Sequence, residues 1–195
     1  MAEAPAEEPR NPARLQPHDP AWAVEARAIL DRVHNALVGL PGVDAARFDH
    51  IGSTAVPGLD ARPILDLQVS ILPLPAEDEL SARLGPVGFR REWGSRPDSP
   101  GVSRDIPRGT EDVPHEVWEK RLFVARGADV ILHVRRFDSP WARETVRFRD
   151  ALCSDPGLRA RYQDLKRRLS AANAGKADYD DYTRAKTAFF SDMHG

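Results

Sequence analysis

A chain of 195 residues has room for one domain with a substantial core, and no stretch in its middle reads as a long linker. With 28 basic residues against 30 acidic ones, the net charge of -2 gives no general field for drawing in long nucleic acid or an anionic membrane. The single cysteine, Cys153, excludes an intrachain disulfide and cysteine-based zinc motifs, which fits a reducing cytoplasm.

Residues 1–16 are rich in Ala, Glu and Pro, lack the apolar core of a signal peptide, and read as a disordered, non-targeting tail before a single domain over 17–195. No later stretch approaches the roughly 20 apolar residues of a membrane span. Trp22, Ala26, Ile29, Val33, Leu37 and Leu40 recur at spacings of three or four, which predicts an amphipathic helix capped by Asp19 with Pro20 in its first turn. "LPGVD" ends it, and "AARFDHIG" reads as a strand running into a tight turn at Gly52. "PILDLQVSIL" then puts Ile64, Asp66, Gln68 and Ser70 on one strand face and Leu65, Leu67, Val69 and Ile71 on the other. An acid inside a strand is costly to bury alone, so Asp66 calls for a cation or a hydrogen-bonding role.

"PAEDELSARLG" reads as a short helix and "PVGFRREW" as a strand. Residues 94–118 carry Pro, Gly, Ser and charge without an apolar period, which predicts a long surface loop. "EKRLFVAR" and "ADVILHVRRF" read as a hairpin around "GA". After Ser139 the period changes from about two to about 3.6, which predicts helices over 139–191, the first with Trp141, Val146, Phe148, Leu152 and Cys153 on its apolar face. Trp22, Trp118 and Trp141 read as packing residues and Trp93 as a strand end.

Some of these residues suit chemistry. Gly52 lets backbone approach a ligand closely, and exposed N–H groups with the Ser53 hydroxyl suit phosphate oxygens, beside which Asp66 suits a divalent metal. The same turn reads equally well as purely structural. A strand histidine such as His50 or His133 more often bonds backbone or carboxylate than metal. "KRR" at 166–168 reads as a solvated face, and the pairs Tyr162/Lys166 and Tyr182/Lys186 fit a Tyr ring packed on a Lys stem.

"HIGSTAVPGL", "ILDLQV", "LHVR", "FRDAL", "YQDLK" and "YTRAKTAF", in that order, resemble the GrpB family of the nucleotidyltransferase superfamily, with its polymerase-beta-like fold, over residues 17–190. The resemblance implies an α/β (α+β) fold, a nucleotidyltransferase-like mixed sheet packed with helices and followed by a C-terminal helical segment. It implies nucleotide binding by Gly52, Ser53, Lys120, Arg121, Lys166 and Lys186, and catalysis by Asp66 and His133. The superfamily places two acids one residue apart and a third on a later strand; here the positions hold Asp66, Gln68 and His133. One charge in place of three lowers magnesium affinity, and an Asp–His set joined by His50 suits zinc, manganese or iron. The implied metal set is Asp66, Gln68, His133 and His50, with Mg or Mn expected ahead of zinc or iron. The implied activity moves a nucleoside monophosphate from a nucleoside triphosphate to a small-molecule acceptor. The alternative is a non-catalytic nucleotide- or anion-binding or regulatory interaction module, and whether the chain is an enzyme stays open. The family's domain also occurs behind dephospho-coenzyme A kinase; with no "GxxxxGK" loop in this sequence, the chain reads as free-standing.

Overall fold

In a computed structural model, residues 13–93, 101–107, 113–125, 129–176, 181–183, 185, 186 and 189 are described. Helix α1 (Ala21–Leu37) begins where the Asp19 carboxylate accepts the Ala21 N–H at 2.8 Å. It buries Trp22, Ala26, Ile29, Leu30, Val33 and Leu37, as the spacing predicts. It ends three residues before Leu40, whose side chain is still buried, because Gly39 takes a positive φ of 87° just after Val38 leaves the helical region. Strand β1 (Arg47–Ile51) and strand β2 (Leu65–Ile71) then pair antiparallel.

Helix α2 (Glu77–Leu84), strand β3 (Phe89–Arg91), strand β4 (Lys120–Ala125) and strand β5 (Val130–Arg136) follow. The sheet order is β1-β2-β5-β4-β3, with β2 and β5 parallel and the other pairs antiparallel, so the architecture is a mixed α/β sheet. Leu65, Leu67, Val69 and Ile71 on β2 join Leu132 and Val134 on β5 in one apolar cluster with α1 and α2. Complete burial of such a side chain contributes about 1.5–3 kcal/mol, which makes this face the main source of stability. The opposite face, with Asp66, Gln68 and Ser70, is covered by helix α3 (Pro140–Ser154) and backed by helix α4 (Pro156–Ala172). Phe148, Leu152, Leu158 and Tyr162 of these helices close on Val56 and Leu59 in a second, smaller cluster.

Several expectations are corrected. Residues 13–16, read as the end of a tail, are docked: Ala13 is buried, its carbonyl accepts from Ser170, and Gln16 exchanges two backbone bonds with Ala61. The loop read over 94–118 is not all surface, since Val102, Asp105, Val117 and Trp118 are buried; 94–100 and 108–112 lie outside the described residues. Cys153, placed on the apolar face of α3, is exposed. The hairpin turn lies outside the described residues, while its strands β4 and β5 pair as expected. Beyond α4, residues 181–183, 185, 186 and 189 are helical.

Candidate functional site

Strand register decides which side chains meet. Ile51 pairs with Asp66, Asp49 with Gln68 and His50 with Leu67, so His50 belongs to the α1 face while Asp66 and Gln68 face α3. On β5, His133 aligns with Gln68 and Arg135 with Ser70, which brings both onto the Asp66 face. Leu122 and Lys120 on β4 continue that face, and Arg121, aligned with Val134, points to the other.

The result is a cleft of about 190 Å³ lined by Gly52, Ser53, Asp66, His133 and Lys186, with Phe148 among its apolar walls. Gly52 has φ 74° and ψ -169°, and a β-carbon there would lie 2.5 Å from Asp66 Oδ2, so the turn presses against the carboxylate because it has no side chain. Beside it, the Ser53 hydroxyl lies near enough to Tyr162 to favour the phenolate, but burial, the larger effect, keeps that phenol protonated. His133 Nε2 lies 3.7 Å from Asp66 Oδ1, too far for a hydrogen bond as it stands but close enough for charge to be felt. Burial works against the Asp66 carboxylate, yet its contact with His133 and the cations Lys186 and Arg62 outweigh that, and its pKa stays below the ordinary value.

Behind His133 lies a buried charge cluster. Asp105 accepts from Arg135 Nε at 2.7 Å and Nη2 at 3.1 Å, and from Lys120 Nζ at 3.0 Å. Lys120 Nζ is also 3.4 Å from His133 Nδ1. Burial, then Arg135 and Lys120, lower the His133 pKa to about 4 against the pull of Asp66. Burial, with Arg149 and His18 against Asp66, likewise takes His50 to about 4. Both imidazoles are therefore neutral at pH 7 in the folded chain, while the unfolded chain begins to protonate near pH 6.5. A depressed pKa gives stability that is present above pH 6.5 and lost as pH falls toward 4, because only the unfolded chain takes up the protons in that window. Denaturant titrations at pH 7, 5.5 and 4.5 should show a steep decline, with each imidazole contributing up to about 3 kcal/mol.

The candidate residues thus divide. Gly52, Ser53, Asp66, His133 and Lys186 share the cleft. Lys186 stacks on the Tyr182 ring at 4.8 Å, and burial with Arg62 lowers its pKa to about 8 against Asp66. His50 instead donates Nε2–H to Thr54 Oγ1 at 3.0 Å, while that hydroxyl donates to the Ile64 carbonyl at 3.2 Å. Gln68 is fully buried and spent on structure: its amide donates to the Ala142 carbonyl at 3.0 Å, and its oxygen accepts from Arg135 and Thr145. Lys120 is buried against Asp105, and Arg121 is turned away toward Glu119. Lys166, in the run read as solvated, is 1% exposed; it donates to the Asp60 carbonyl and stacks on Tyr162. Asp60 also gives its N–H to Gln163 and its carboxylate to Arg167, so three atoms of one residue tie the 53–62 segment to α4.

For a divalent metal, the fit is poor. Among the described residues no group of three His, Cys, Asp or Glu side chains is placed to hold an ion, and Asp66 with His133 is a pair. Of the functional side chains sequence reasoning missed, Arg135 sits two residues from His133 and was within reach of the strand period, whereas nothing local marks Asp105 or Arg62.

Comparison with known proteins adds four findings. The family model described as "GrpB protein" matches residues 12–195. A "Dephospho-CoA kinase" of Mycolicibacterium paratuberculosis is 32% identical over 192 residues, which covers 95% of this chain and 46% of that protein, so the chain spans about half the length of the kinases it matches. A UPF0157 protein of Streptomyces coelicolor is 31% identical over 89% of this chain and 77% of its own length. The crystal structure of "conserved protein GrpB" from Enterococcus faecalis superposes with a TM-score of 0.64 at 19% identity, covering 93% of this chain and 100% of that one, which speaks to the fold. Among the described residues no helix is long and apolar enough to cross a membrane.

Proposed function

The chain belongs to the GrpB family, and from that membership and its cleft we propose that it binds a nucleoside triphosphate or a comparable phosphate-bearing small molecule. The observation that carries this is the meeting of the Gly52–Ser53 turn with the desolvated Lys186 cation in one cleft. Turn N–H groups, a hydroxyl and an ammonium are donors suited to phosphate oxygens, and a buried ammonium gains most from a partner of opposite charge. Asp66 and His133 then face whatever group adjoins the phosphates.

Transfer of a nucleoside monophosphate to a small acceptor, in the manner of the nucleotidyltransferase superfamily, is the second reading. It draws on the acid and imidazole side by side in the cleft. One carboxylate and a spent Gln68 supply less charge than a metal pair needs, which supports binding without turnover over transfer.

Calorimetric titration with each of the four nucleoside triphosphates, with and without Mg, Mn or Zn, tests both. Heat of binding without pyrophosphate release supports the module, and metal-dependent release supports transfer. No heat with any of them overturns the proposal. In Lys186→Met, affinity should fall about tenfold or more, as loss of a charge-assisted bond of about 1.5–3 kcal/mol requires. In the unsubstituted chain, affinity should weaken as pH rises above about 8, where the Lys186 ammonium loses its proton.

A further inference from the structure

We propose that Lys120, which reaches no part of the cleft wall, is a positioning residue that fixes the tautomer of His133 and so makes its Nε2–H a hydrogen-bond donor aimed at the Asp66 side of the cleft. The inference rests on the reading of Asp66 and His133 as the working pair of the proposed ligand site.

An ammonium donates hydrogen bonds and cannot accept them. Lys120 Nζ has donors and no acceptor, so at 3.4 Å from His133 Nδ1 the ring nitrogen facing it must be the one with the lone pair. The proton of the neutral ring is then on Nε2, the nitrogen 3.7 Å from Asp66 Oδ1. Lys120 has little freedom to be elsewhere: its side chain is 4% exposed, and Asp105 holds Nζ at 3.0 Å. Asp105 is held in turn by two bonds from Arg135, and Arg135 by Gln68, which the Ala142 carbonyl of α3 anchors. A chain of buried partners thus runs from α3 through the sheet to the ring.

This arrangement has a chemical consequence for the cleft. With Nδ1 facing an ammonium and Nε2 carrying hydrogen, the ring presents a donor to a ligand oxygen and no lone pair to a cation beside Asp66. The imidazole at the position where the superfamily carries an acid is therefore polarised in the opposite sense to a metal ligand. A phosphate or carboxylate oxygen of a bound molecule is the partner it suits.

Long-range proton–nitrogen correlation spectra of the nitrogen-15-labelled chain, with His133 assigned by its loss in His133→Gln, read the tautomer directly. The expected result at pH 7 is a pyridine-type Nδ1 and a pyrrole-type Nε2 in the unliganded protein. A pyrrole-type Nδ1 overturns the proposal without any variant. Lys120→Met leaves Asp105 still bonded to Arg135, so the fold has a compensated carboxylate, and the two nitrogen signals should move toward the averaged positions of a mixed tautomer. An unchanged tautomer in a folded Lys120→Met chain also overturns it. Because the spectra are taken without ligand, failure of the nucleotide titrations leaves this result standing, and the reverse holds as well.

Discussion

Asp105→Asn is expected to remove about 3–5 kcal/mol of folding stability, the usual cost of taking one partner from a buried ionic cluster. The size follows from what stays behind. Asp105 is the carboxylate that meets both Arg135 and Lys120, and all three side chains are about 5% exposed or less. Those cations hold its pKa far below the carboxylate range against burial, which is the same interaction seen from the acid's side. Without the charge, an ammonium and a guanidinium face each other with an amide between them, and Arg135 keeps only the Gln68 oxygen among its hydrogen bonds to side chains named above. Urea denaturation of Asp105→Asn, Lys120→Met and the double variant separates the terms. The double variant should recover part of the loss, because one of the stranded cations has gone with it. If Asp105→Asn melts like the parent, the cluster is not the internal support of the cleft face described above.

Gly52→Ala is expected to cost about 2–4 kcal/mol for two reasons that can be told apart. The backbone at φ 74° and ψ -169° lies in a region that only glycine occupies readily, and strain there is about 1–3 kcal/mol. The added methyl group would also sit 2.5 Å from Asp66 Oδ2 and 2.9 Å from its β-carbon, so either the turn or β2 must move. In an Asp66→Gly background the contact is gone and the strain is not, so the penalty of Gly52→Ala should shrink without vanishing. Thermal melts of the four chains give the cycle. An equal penalty in both backgrounds would show that the turn does not press on the carboxylate. In the single variant, ligand affinity should fall along with stability, since the turn and Asp66 are two sides of one cleft.

The frame of the fold was open to reading because its signal is apolar and periodic. α1 shows its buried stripe from Trp22 to Leu37, and β2 separates Leu67, Val69 and Ile71 from Asp66 and Gln68 by simple alternation. Gly52, Ser53, Asp66 and His133 were gathered from sequence and do share a cleft. What escaped was ionic or depended on register. Asp105 lies in a stretch with no apolar period because a salt bridge, not a greasy face, fixes it. Lys166 looks like one more charge in a basic run, and its burial depends on the Asp60 carbonyl a hundred residues away. His50 is one residue from Asp49, and only the pairing of β1 with β2 shows that it faces α1 rather than the cleft. Gln68 stands where an acid was expected, and its role as a strut between Arg135 and α3 needed both partners in view.

The clamp at Asp60 bears on the order in which the molecule is made. Its bonds to Gln163, Lys166 and Arg167 span 103, 106 and 107 residues. A chain emerging from the ribosome exposes the 53–62 segment early, and the bonds of its Asp60 to α4 are missing until that helix has followed it out. Contacts of such separation close slowly, after the local ones that build α1 and the β1–β2 pair. A nascent chain halted near residue 155 would carry every strand of the sheet and still leave the Asp60 amide open to hydrogen exchange. The cleft is then a late product of synthesis, sealed from the carboxyl-terminal side once the sheet beneath it already exists.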